Sequence, residues 1–311
     1  MKSKIVLLQG GISNERDVSL ETSNAVKQAL ISLGKTVQTV DPKDFYWNHN
    51  INYSLMLKTI LESKCDKVFN GLHGGDGEGG TIQKFLELFN IDFTGSNSFG
   101  SFISMNKKIS KLLAQNMQIN VPKFIPFYEN GSIIIEKILK KFCLPFVVKP
   151  NSSGSSVGVT VVENQDQLPK AINDAFEHDN EILIEQYIEG REITVAMLGN
   201  KPLPVVEIKP KNGWYDYLHK YTKGETVYEV PANLSKKESN KVIKYAIKIY
   251  NEFQCRDYAR IDFRYDGKEF YFLEVNTLPG MTTLSLVPMA AKVIGINFND
   301  LIHRIVERDW D

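Results

Sequence analysis

The sequence predicts an α/β fold in which an N-terminal, Rossmann-like parallel-sheet domain precedes two α+β domains. Strand patterns alternate with helical periodicity over the N-terminal third, whereas short strands dominate after residue 192. A chain of 311 residues, 42% hydrophobic and 24% charged, is long and apolar enough for two or three cores. We place the domain boundaries at 1–97, 98–186 and 187–311.

Composition and charge exclude several classes of protein. Lys plus Arg and Asp plus Glu both number 37, so no net field favours nucleic acid or an anionic membrane. Cys65, Cys143 and Cys255 are odd in number, far apart and without CxxC spacing, which is typical of free thiols in a reducing compartment. The apolar run in residues 1–8 is too short for a signal peptide, and no later run approaches a membrane span. We expect a cytoplasmic protein without nucleic-acid or membrane partners.

The N-terminal elements follow a strand-helix-strand order. A buried-type strand is predicted at 5–8, an amphipathic helix from about 20 to 33, and further strands at 36–40 and 67–70. Such an order is typical of βαβ units and therefore of a parallel sheet.

The remaining elements form an α+β section and then a strand-rich section. The α+β section is predicted to contain helices near 104–117, 133–142 and 167–176, and strands at 146–149, 157–162 and 182–185. The second section is predicted to contain strands at 193–197 and 203–208, a long helix opened by the capping box of Ser235 and Glu238, a hairpin over 260–276, and helices near 286–293 and 299–307.

The hairpin carries the most informative chemistry. A turn at Asp266-Gly267 joins a strand containing Asp262 to a strand containing Glu274 and Asn276. Period-2 alternation places Glu274 and Asn276 on one face, and a facing Asp262 adds a third oxygen ligand. Oxygen ligands suit Mg²⁺ (or Mn²⁺), and Mg²⁺ completes its shell with water and nucleotide phosphates. The hairpin therefore predicts a metal site that accepts ATP.

A second motif, over residues 149–158, is predicted to bind phosphate. Lys149 ends an apolar strand, and glycines and hydroxyl residues, among them Ser155 and Ser156, follow it. Backbone N–H groups of such a loop can lie over phosphates while the lysine supplies charge. The pattern is not a Walker A motif, because the lysine precedes the glycines. A flexible hairpin turn accounts for the glycines and serines but not for the lysine, so we favour phosphate binding.

Two loops follow strands of the predicted N-terminal sheet, at the edge where doubly wound sheets bind ligands. In residues 10–19 the double glycine permits close approach of a small ligand, and Glu15 is placed to hold an ammonium group; acids at a helix N-terminus explain the same residues through the helix dipole. In the glycine-rich residues 72–81, a hydrogen bond within the loop and a ligand-side role for His73 carry equal weight.

Two connections give weaker signals. Residues 185–192 join two apolar strands and include Glu185, Tyr187, Ile188 and Glu192; adenine recognition needs backbone amides beside apolar walls, and a carboxylate suits ribose hydroxyls, but an exposed acidic connector has the same composition. Residues 214–222 are polar and aromatic without a period, which is typical of a lid and also of an aromatic partner-binding loop.

Taken together, these ordered motifs resemble the D-alanine–D-alanine ligase family of the ATP-grasp superfamily. The resemblance spans nearly the whole chain and implies an ATP-grasp fold with the N-terminal Rossmann-like domain. It rests on the residue groups 10–19, 73–74 with 80–83, 149–158, 215–217 with 220–221, 260–262 and 274–282.

The resemblance implies ATP-dependent ligation of two D-alanines through a D-alanyl phosphate, for peptidoglycan precursor synthesis. A carboxylate does not react with an amine unaided because oxide is a poor leaving group, and an acyl phosphate removes that obstacle. The residues implied to bind the nucleotide are Lys107, Lys149, Ser156, Glu185, Tyr187, Ile188, Glu192 and Lys220. Two Mg²⁺ ions would be held by Asp262, Glu274 and Asn276.

The same resemblance implies the substrate side. Glu15 would bind the first ammonium and join Ser155 and Tyr221 in a hydrogen-bonded chain, while Arg260 and the Gly280 amide would bind the oxyanion. The remaining implied substrate residues are Ser285, Leu286 and His73.

The family also implies a homodimer, and the chain departs from its usual pattern at three positions. Asn106 stands where aspartate is common, Gly79 where Glu-Asp-Gly is common, and Gln9 where glycine often precedes the glycine pair. Another ATP-grasp carboxylate–amine ligase, or a nucleotide-binding regulator without turnover, remain the alternative interpretations.

Overall fold

The computed structural model describes residues 3–48, 50–129, 135–211, 224–282 and 285–310. Its strands are β1 Lys4–Leu8, β2 Thr36–Val40, β3 Tyr46–Trp47, β4 Asn50–Ile51, β5 Lys67–Asn70, β6 Phe124–Tyr128, β7 Phe146–Pro150, β8 Thr160–Val162, β9 Glu181–Gln186, β10 Arg191–Leu198, β11 Lys201–Pro202, β12 Val206–Pro210, β13 Thr226–Glu229, β14 Tyr258–Tyr265 and β15 Phe270–Asn276. Its α-helices are α1 Arg16–Ser32, α2 Tyr53–Ser63, α3 Gly75–Glu78, α4 Thr81–Leu88, α5 Ser98–Met105, α6 Lys107–Asn116, α7 Ile135–Lys141, α8 Leu168–Phe176, α9 Lys236–Glu252, α10 Leu286–Val293 and α11 Phe298–Glu307.

The N-terminal sheet is parallel, as predicted, with the strand order β2-β1-β5. Both faces of β1 are buried. Ile5 and Leu7 belong to a core shared with α1 and the C-terminal helices, whereas Val6 and Leu8 belong to a core with α2 and α4. A strand covered on both faces has a continuous apolar sequence.

Two helix predictions differ from the structure for local reasons. Helix α1 begins at Arg16 rather than near residue 20, because its buried face includes Ser19, Thr22 and Ser23, which carry no hydrophobic period. The single helix predicted over 104–117 is two helices separated at Asn106. That side chain accepts a hydrogen bond from the Ile109 N–H and so begins a new helix.

The central and C-terminal sheets are antiparallel. The central sheet has the order β6-β9-β7-β8, and the C-terminal sheet has the order β13-β12-β10-β14-β15 with β11 beside β10. The predicted hairpin is confirmed: Asp262 pairs with Glu274 and Arg260 with Asn276, and the register shifts directly after Asp262. The capping box of Ser235 and Glu238 is also confirmed.

Core packing ties the N-terminal sheet to the C-terminal sheet. Ile103 of α5 and Ala114 of α6 belong to the core of the C-terminal sheet rather than to that of the central sheet. Helix α1 contacts α11, so the two ends of the chain share a core. The domain boundaries stay a prediction. No helix within the described residues combines the length and apolar character needed to cross a membrane.

Candidate active site

Two adjoining cavities meet at Lys107, Ser153 and Glu274. The first, here called the nucleotide cleft, includes among its lining residues Lys107, Lys149, Ser156, Glu185, Tyr187, Ile188, Glu192, Asp262 and Glu274. The second, here called the substrate cavity, includes Glu15, His73, Ser155, Arg260, Asn276, Gly280, Ser285 and Leu286. Lys220 and Tyr221 lie outside the described residues.

A buried charge cluster forms one wall of the nucleotide cleft. The Glu185 carboxylate lies 2.9 Å from Lys149 Nζ and 3.3 Å from Lys111 Nζ. Burial acts to raise the pKa of Glu185, but the two lysines outweigh it and hold that pKa below its ordinary value. Burial lowers the pKa of Lys111 to about 8. Lys111 was not among the predicted site residues, although its i,i+4 spacing from Lys107 places both on one helix face.

Lys107 connects the two cavities. Its Nζ donates to the Ser153 carbonyl at 2.6 Å and lies 3.4 Å from Glu274 Oε2. The lysine therefore joins helix α6, the loop after β7 and strand β15. Glu274 reaches the same junction from the predicted metal hairpin, so charges of both signs meet where the cavities join.

The hairpin carboxylates already have cationic or donor partners. The guanidinium of Arg260 donates to both oxygens of Asp262, with N–O distances of 2.9 Å, and Thr194 Oγ1 donates to Asp262 Oδ1 at 2.6 Å. Asn276 Oδ1 is buried and accepts no hydrogen bond from the described residues. Two carboxylates and an unused amide oxygen are ligands of the type that Mg²⁺ takes. The residues present therefore fit a magnesium site.

Arg264, which was not among the predicted site residues, contacts three residues that line the nucleotide cleft. Its Nε donates to the Ile188 carbonyl at 3.1 Å, its NH1 lies 3.4 Å from Glu192, and its guanidinium lies 5.7 Å from the centre of the Tyr187 ring. Arg260, Asp262 and Arg264 alternate along β14. Because alternate residues share a face of a strand, that spacing was the available signal.

Glu15 lies between two glycine loops. A Cβ atom on Gly74 would stand 2.5 Å from Glu15 Oε2, and one on Gly154 would stand 2.4 Å from the same oxygen. Ser155 donates a hydrogen bond to Glu15 Oε1, which confirms that contact of the chain implied above. Tyr221, the third member, stays a prediction. The two glycines thus let the carboxylate bridge the N-terminal sheet and the phosphate loop.

His73 is anchored through its ring. Its Nε2 lies 3.0 Å from Thr22 Oγ1, which also accepts the Met281 N–H at 3.1 Å, and the Leu278 backbone accepts a hydrogen bond from the ring. Burial lowers the pKa of His73, so the neutral ring is favoured. Both partners of the ring lie outside residues 72–81, so the predicted hydrogen bond within the loop is not the one observed, and the ring still lines the substrate cavity.

A buried carboxylate beside His73 was not among the predicted site residues. Glu78 accepts hydrogen bonds from the Gly74 N–H at 3.1 Å and from the Leu278 N–H at 3.2 Å. Burial first, and then the nearby charge of Glu15, raise the pKa of Glu78 to about 7. Its position in a glycine-rich loop gave no sign of burial.

The far end of the substrate cavity is formed by the start of helix α10. Ser285 precedes this helix, and its Oγ accepts the Thr282 N–H at 3.1 Å and lies 2.9 Å from Thr282 Oγ1. A Cβ on Gly280 would lie 3.0 Å from Ser285 Oγ. The cavity therefore ends at a helix N-terminus, which favours anions.

Comparison with known proteins gives one consistent result. The family model described as "D-ala D-ala ligase C-terminus" matches residues 113–307. A D-alanine–D-alanine ligase of Aquifex aeolicus is 42% identical over 97% of this chain and 99% of its own length.

Two solved structures share the fold, which confirms the predicted ATP-grasp architecture. The ligase of Bacillus anthracis complexed with ATP is 32% identical, covers 98% of this chain and 96% of its own, and gives a TM-score of 0.83. The VanG D-Ala:D-Ser ligase of Enterococcus faecalis is 28% identical, covers 99% of each chain, and gives a TM-score of 0.82. By its family model and its near full-length relatives, the chain belongs to the D-alanine–D-alanine ligase family.

Proposed function

We propose that the protein joins two D-alanine molecules to D-alanyl-D-alanine while converting ATP to ADP and phosphate. The observation that carries the proposal is the meeting of two cavities at Lys107, Ser153 and Glu274. A nucleotide in the first cavity would present its terminal phosphate to a carboxylate in the second. Placing two reactants side by side is the main requirement of phosphoryl transfer.

The nucleotide cleft supplies groups for each part of ATP. Lys107 and Lys149 would bind the phosphates beneath the loop that contains Ser156, Tyr187 and Ile188 would flank the adenine, and Lys220 is proposed to reach the phosphates from residues 214–222. Glu185 would act indirectly, through the lysines with which it pairs, and Glu192 would bind the ribose.

We propose that Asp262, Glu274 and Asn276 hold Mg²⁺, as two ions, with Mn²⁺ as a substitute. Bound there, the metal would neutralise charge on the phosphates during transfer. The support for this site is the facing register of Asp262 and Glu274 and the unused Asn276 oxygen.

The proposed reaction has two steps. An oxygen of the first D-alanine carboxylate bonds to the terminal phosphorus of ATP and ADP leaves, which gives D-alanyl phosphate. The amine of the second D-alanine then bonds to the carbonyl carbon, and phosphate leaves as the amine gives up a proton. Arg260 and the Gly280 N–H would stabilise the oxyanion between addition and departure. Because Arg260 is paired with Asp262, that ion pair also sets the direction of the guanidinium.

The substrate cavity supplies the two ends that amino acids require. Glu15 would bind the ammonium of the first D-alanine, and His73 would border it. Ser285, Leu286 and the N-terminus of helix α10 would bind the carboxylate of the second.

Purified protein with ATP, Mg²⁺ and D-alanine tests the proposal. We expect phosphate release together with the dipeptide detected by mass spectrometry, and no release above background with L-alanine. Glu274→Gln should lower the rate at least about 100-fold because a metal ligand is lost. Consumption of ATP with D-serine or D-lactate as the better acceptor would indicate a different ligase, and ATP binding without turnover would indicate a regulator.

We further propose a homodimer that acts in the cytoplasm. Support for a second copy comes from large exposed apolar side chains on or directly after helices α4, α5 and α6, of which α5 contacts the other two; these side chains are Leu88, Phe89, Phe99, Phe102 and Leu112. Apolar groups concentrated in this way are typical of protein interfaces. Sedimentation equilibrium should give a dimer for the wild type and a monomer for the Phe99→Glu, Phe102→Glu double variant. A wild-type monomer at micromolar concentration would refute it.

A further inference from the structure

One asparagine joins the phosphate loop to the helix that carries Lys107. Asn151 follows Lys149-Pro150 at the end of β7 and directly precedes the small-residue loop. Only 2% of its surface is exposed. A buried amide side chain is costly unless its donors and acceptors are used, so its partners indicate its role.

Asn151 completes the N-terminus of helix α6. Its main-chain carbonyl accepts the Lys107 N–H at 3.1 Å, and its Oδ1 accepts the Lys108 N–H at 2.8 Å. The next amide, that of Ile109, is bound by Asn106 Oδ1 at 2.9 Å. The first three amides of this helix therefore all have protein acceptors. The acceptors of the first two amides both belong to Asn151, which lies 43 positions after Lys108 in the chain.

The other side of Asn151 is fixed to the central sheet. Its N–H donates to the Glu181 carbonyl at 2.9 Å, and its Nδ2 donates to Glu181 Oε2 at 3.1 Å. The Glu181 carboxylate also pairs with Lys108. Asn151, Glu181 and Lys108 thus form a closed ring of contacts between strand β9 and the first turn of α6.

The consequence concerns Lys107, whose Nζ reaches back to the Ser153 carbonyl at 2.6 Å. The helix start and the loop are held to each other at two points, through Asn151 at the backbone and through the Lys107 side chain at the loop. A change at either point alters where the lysine ends relative to Lys149.

We propose that Asn151 is a positioning residue that sets Lys107 and the phosphate loop in register, so that Lys107 and Lys149 bind the same phosphate chain. The inference rests on the proposed function for the identity of the ligand. Asn151 does not itself touch the nucleotide; it acts through the helix it caps.

Asn151→Ala removes the Lys108 cap and the Glu181 contact but leaves the backbone carbonyl in place. We expect the Kd for ATP, measured by isothermal titration calorimetry, to rise about five- to tenfold, which corresponds to one lost capping contact. The KM for ATP should rise by a similar factor, whereas the KM for D-alanine should change less than twofold. A purely structural role would not divide the two substrates in this way.

Two further variants separate positioning from folding. Asn52→Ala removes an asparagine cap from helix α2, where Asn52 Oδ1 accepts the Leu55 N–H at 3.1 Å. Asn52 is not among the residues that line either cavity. This substitution should lower Tm without raising the Kd for ATP. Asn151→Asp combined with Glu181→Gln exchanges donor and acceptor while keeping the cap and the contact. This pair should restore the Kd to within about twofold of wild type.

The outcomes distinguish this inference from the proposed function. An unchanged Kd for ATP in Asn151→Ala, an equal rise in Asn52→Ala, or failure of the exchanged pair to recover affinity would overturn the inference even if the wild type makes dipeptide. A wild type that binds ATP but forms no dipeptide would overturn the proposed function, while the ratio of Kd values would still decide the role of Asn151.

Discussion

Substitution of Glu185 by glutamine tests the buried charge cluster beneath the nucleotide cleft. Lys111 and Glu185 expose 0% and 3% of their side chains, and Lys149 pairs with the same carboxylate. Glutamine keeps the shape of the side chain and removes its charge. The substitution therefore leaves two lysines, one of them fully buried, without their anion.

The distances give the size of the effect. With an effective dielectric constant of about 20, each pair at these separations attracts by roughly 5 kcal/mol before desolvation is subtracted. Removing one partner of a buried pair costs about 3–5 kcal/mol, because the other charge stays buried. We expect Glu185→Gln to lower the free energy of unfolding by about 3–4 kcal/mol near neutral pH.

The loss should depend on pH. Burial already lowers the pKa of Lys111 to about 8 with Glu185 present, and without the anion that pKa falls further. At pH values between this lowered pKa and about 8, Lys111 is protonated in the unfolded variant but not in the folded variant. The free energy of unfolding of the variant therefore rises with pH in this range, whereas Lys111 gives the wild type no such rise. The difference in free energy of unfolding between wild type and Glu185→Gln should therefore be larger at pH 6.5 than at pH 8.

Urea denaturation of the wild type, Glu185→Gln, Lys111→Met and the double variant provides the assay. Lys111→Met removes the buried cation, so the double variant should be more stable than Glu185→Gln alone by at least about 1 kcal/mol. A loss below about 1 kcal/mol for Glu185→Gln, or a deficit that is the same at both pH values, would show that the cluster does not stabilise the fold electrostatically.

Three further predictions concern the substrate side. Gly154→Ala places a Cβ 2.4 Å from Glu15 Oε2, so kcat/KM for D-alanine should fall at least about tenfold in phosphate-release kinetics; a normal value would show that the loop adjusts freely. The pKa of Glu78 is raised from 4.5 to about 7, so between these pH values the folded state binds a proton that the unfolded state does not. The free energy of unfolding of the wild type should therefore fall by up to about 3 kcal/mol as the pH rises from 4.5 to 7. Glu78→Gln should lack this fall in urea denaturation, and parallel pH curves would contradict the assignment. Asn276→Ala should raise the Mg²⁺ concentration needed for half-maximal activity at least about fivefold, and an unchanged Mg²⁺ titration would remove Asn276 from the metal site.

Local patterns predicted the hairpin and most of the longer strands, but they missed β6 and β13. The short turn and the period of two, which are encoded within a few residues, predict the hairpin, whereas the pairing of Asp262 with Glu274 depends on the register shift directly after Asp262, which these local signals do not predict. The capping box of Ser235 and Glu238 is likewise a contact over three positions. The helix break at Asn106 was missed because capping asparagine and ordinary helical asparagine look alike in sequence.

Long-range contacts needed more than local pattern. The bond between Ser155 and Glu15, which joins residues 140 positions apart, was expected through family resemblance and not from periodicity. The cap that Asn151 places on α6, between residues 43 positions apart, had no local signal in the sequence.

The family, the hairpin and the capping box follow from the sequence alone, because they depend on ordered motifs or on neighbours along the chain. The burial of Lys111 and Glu78, and the contacts of Arg264 with Ile188, Glu192 and Tyr187, are seen only in the folded chain. Burial and charge pairing depend on which sheet faces dock, and docking brings together groups whose separation in sequence carries no information about their distance in space. The shifted pKa values of Lys111 and Glu78 follow from that desolvation.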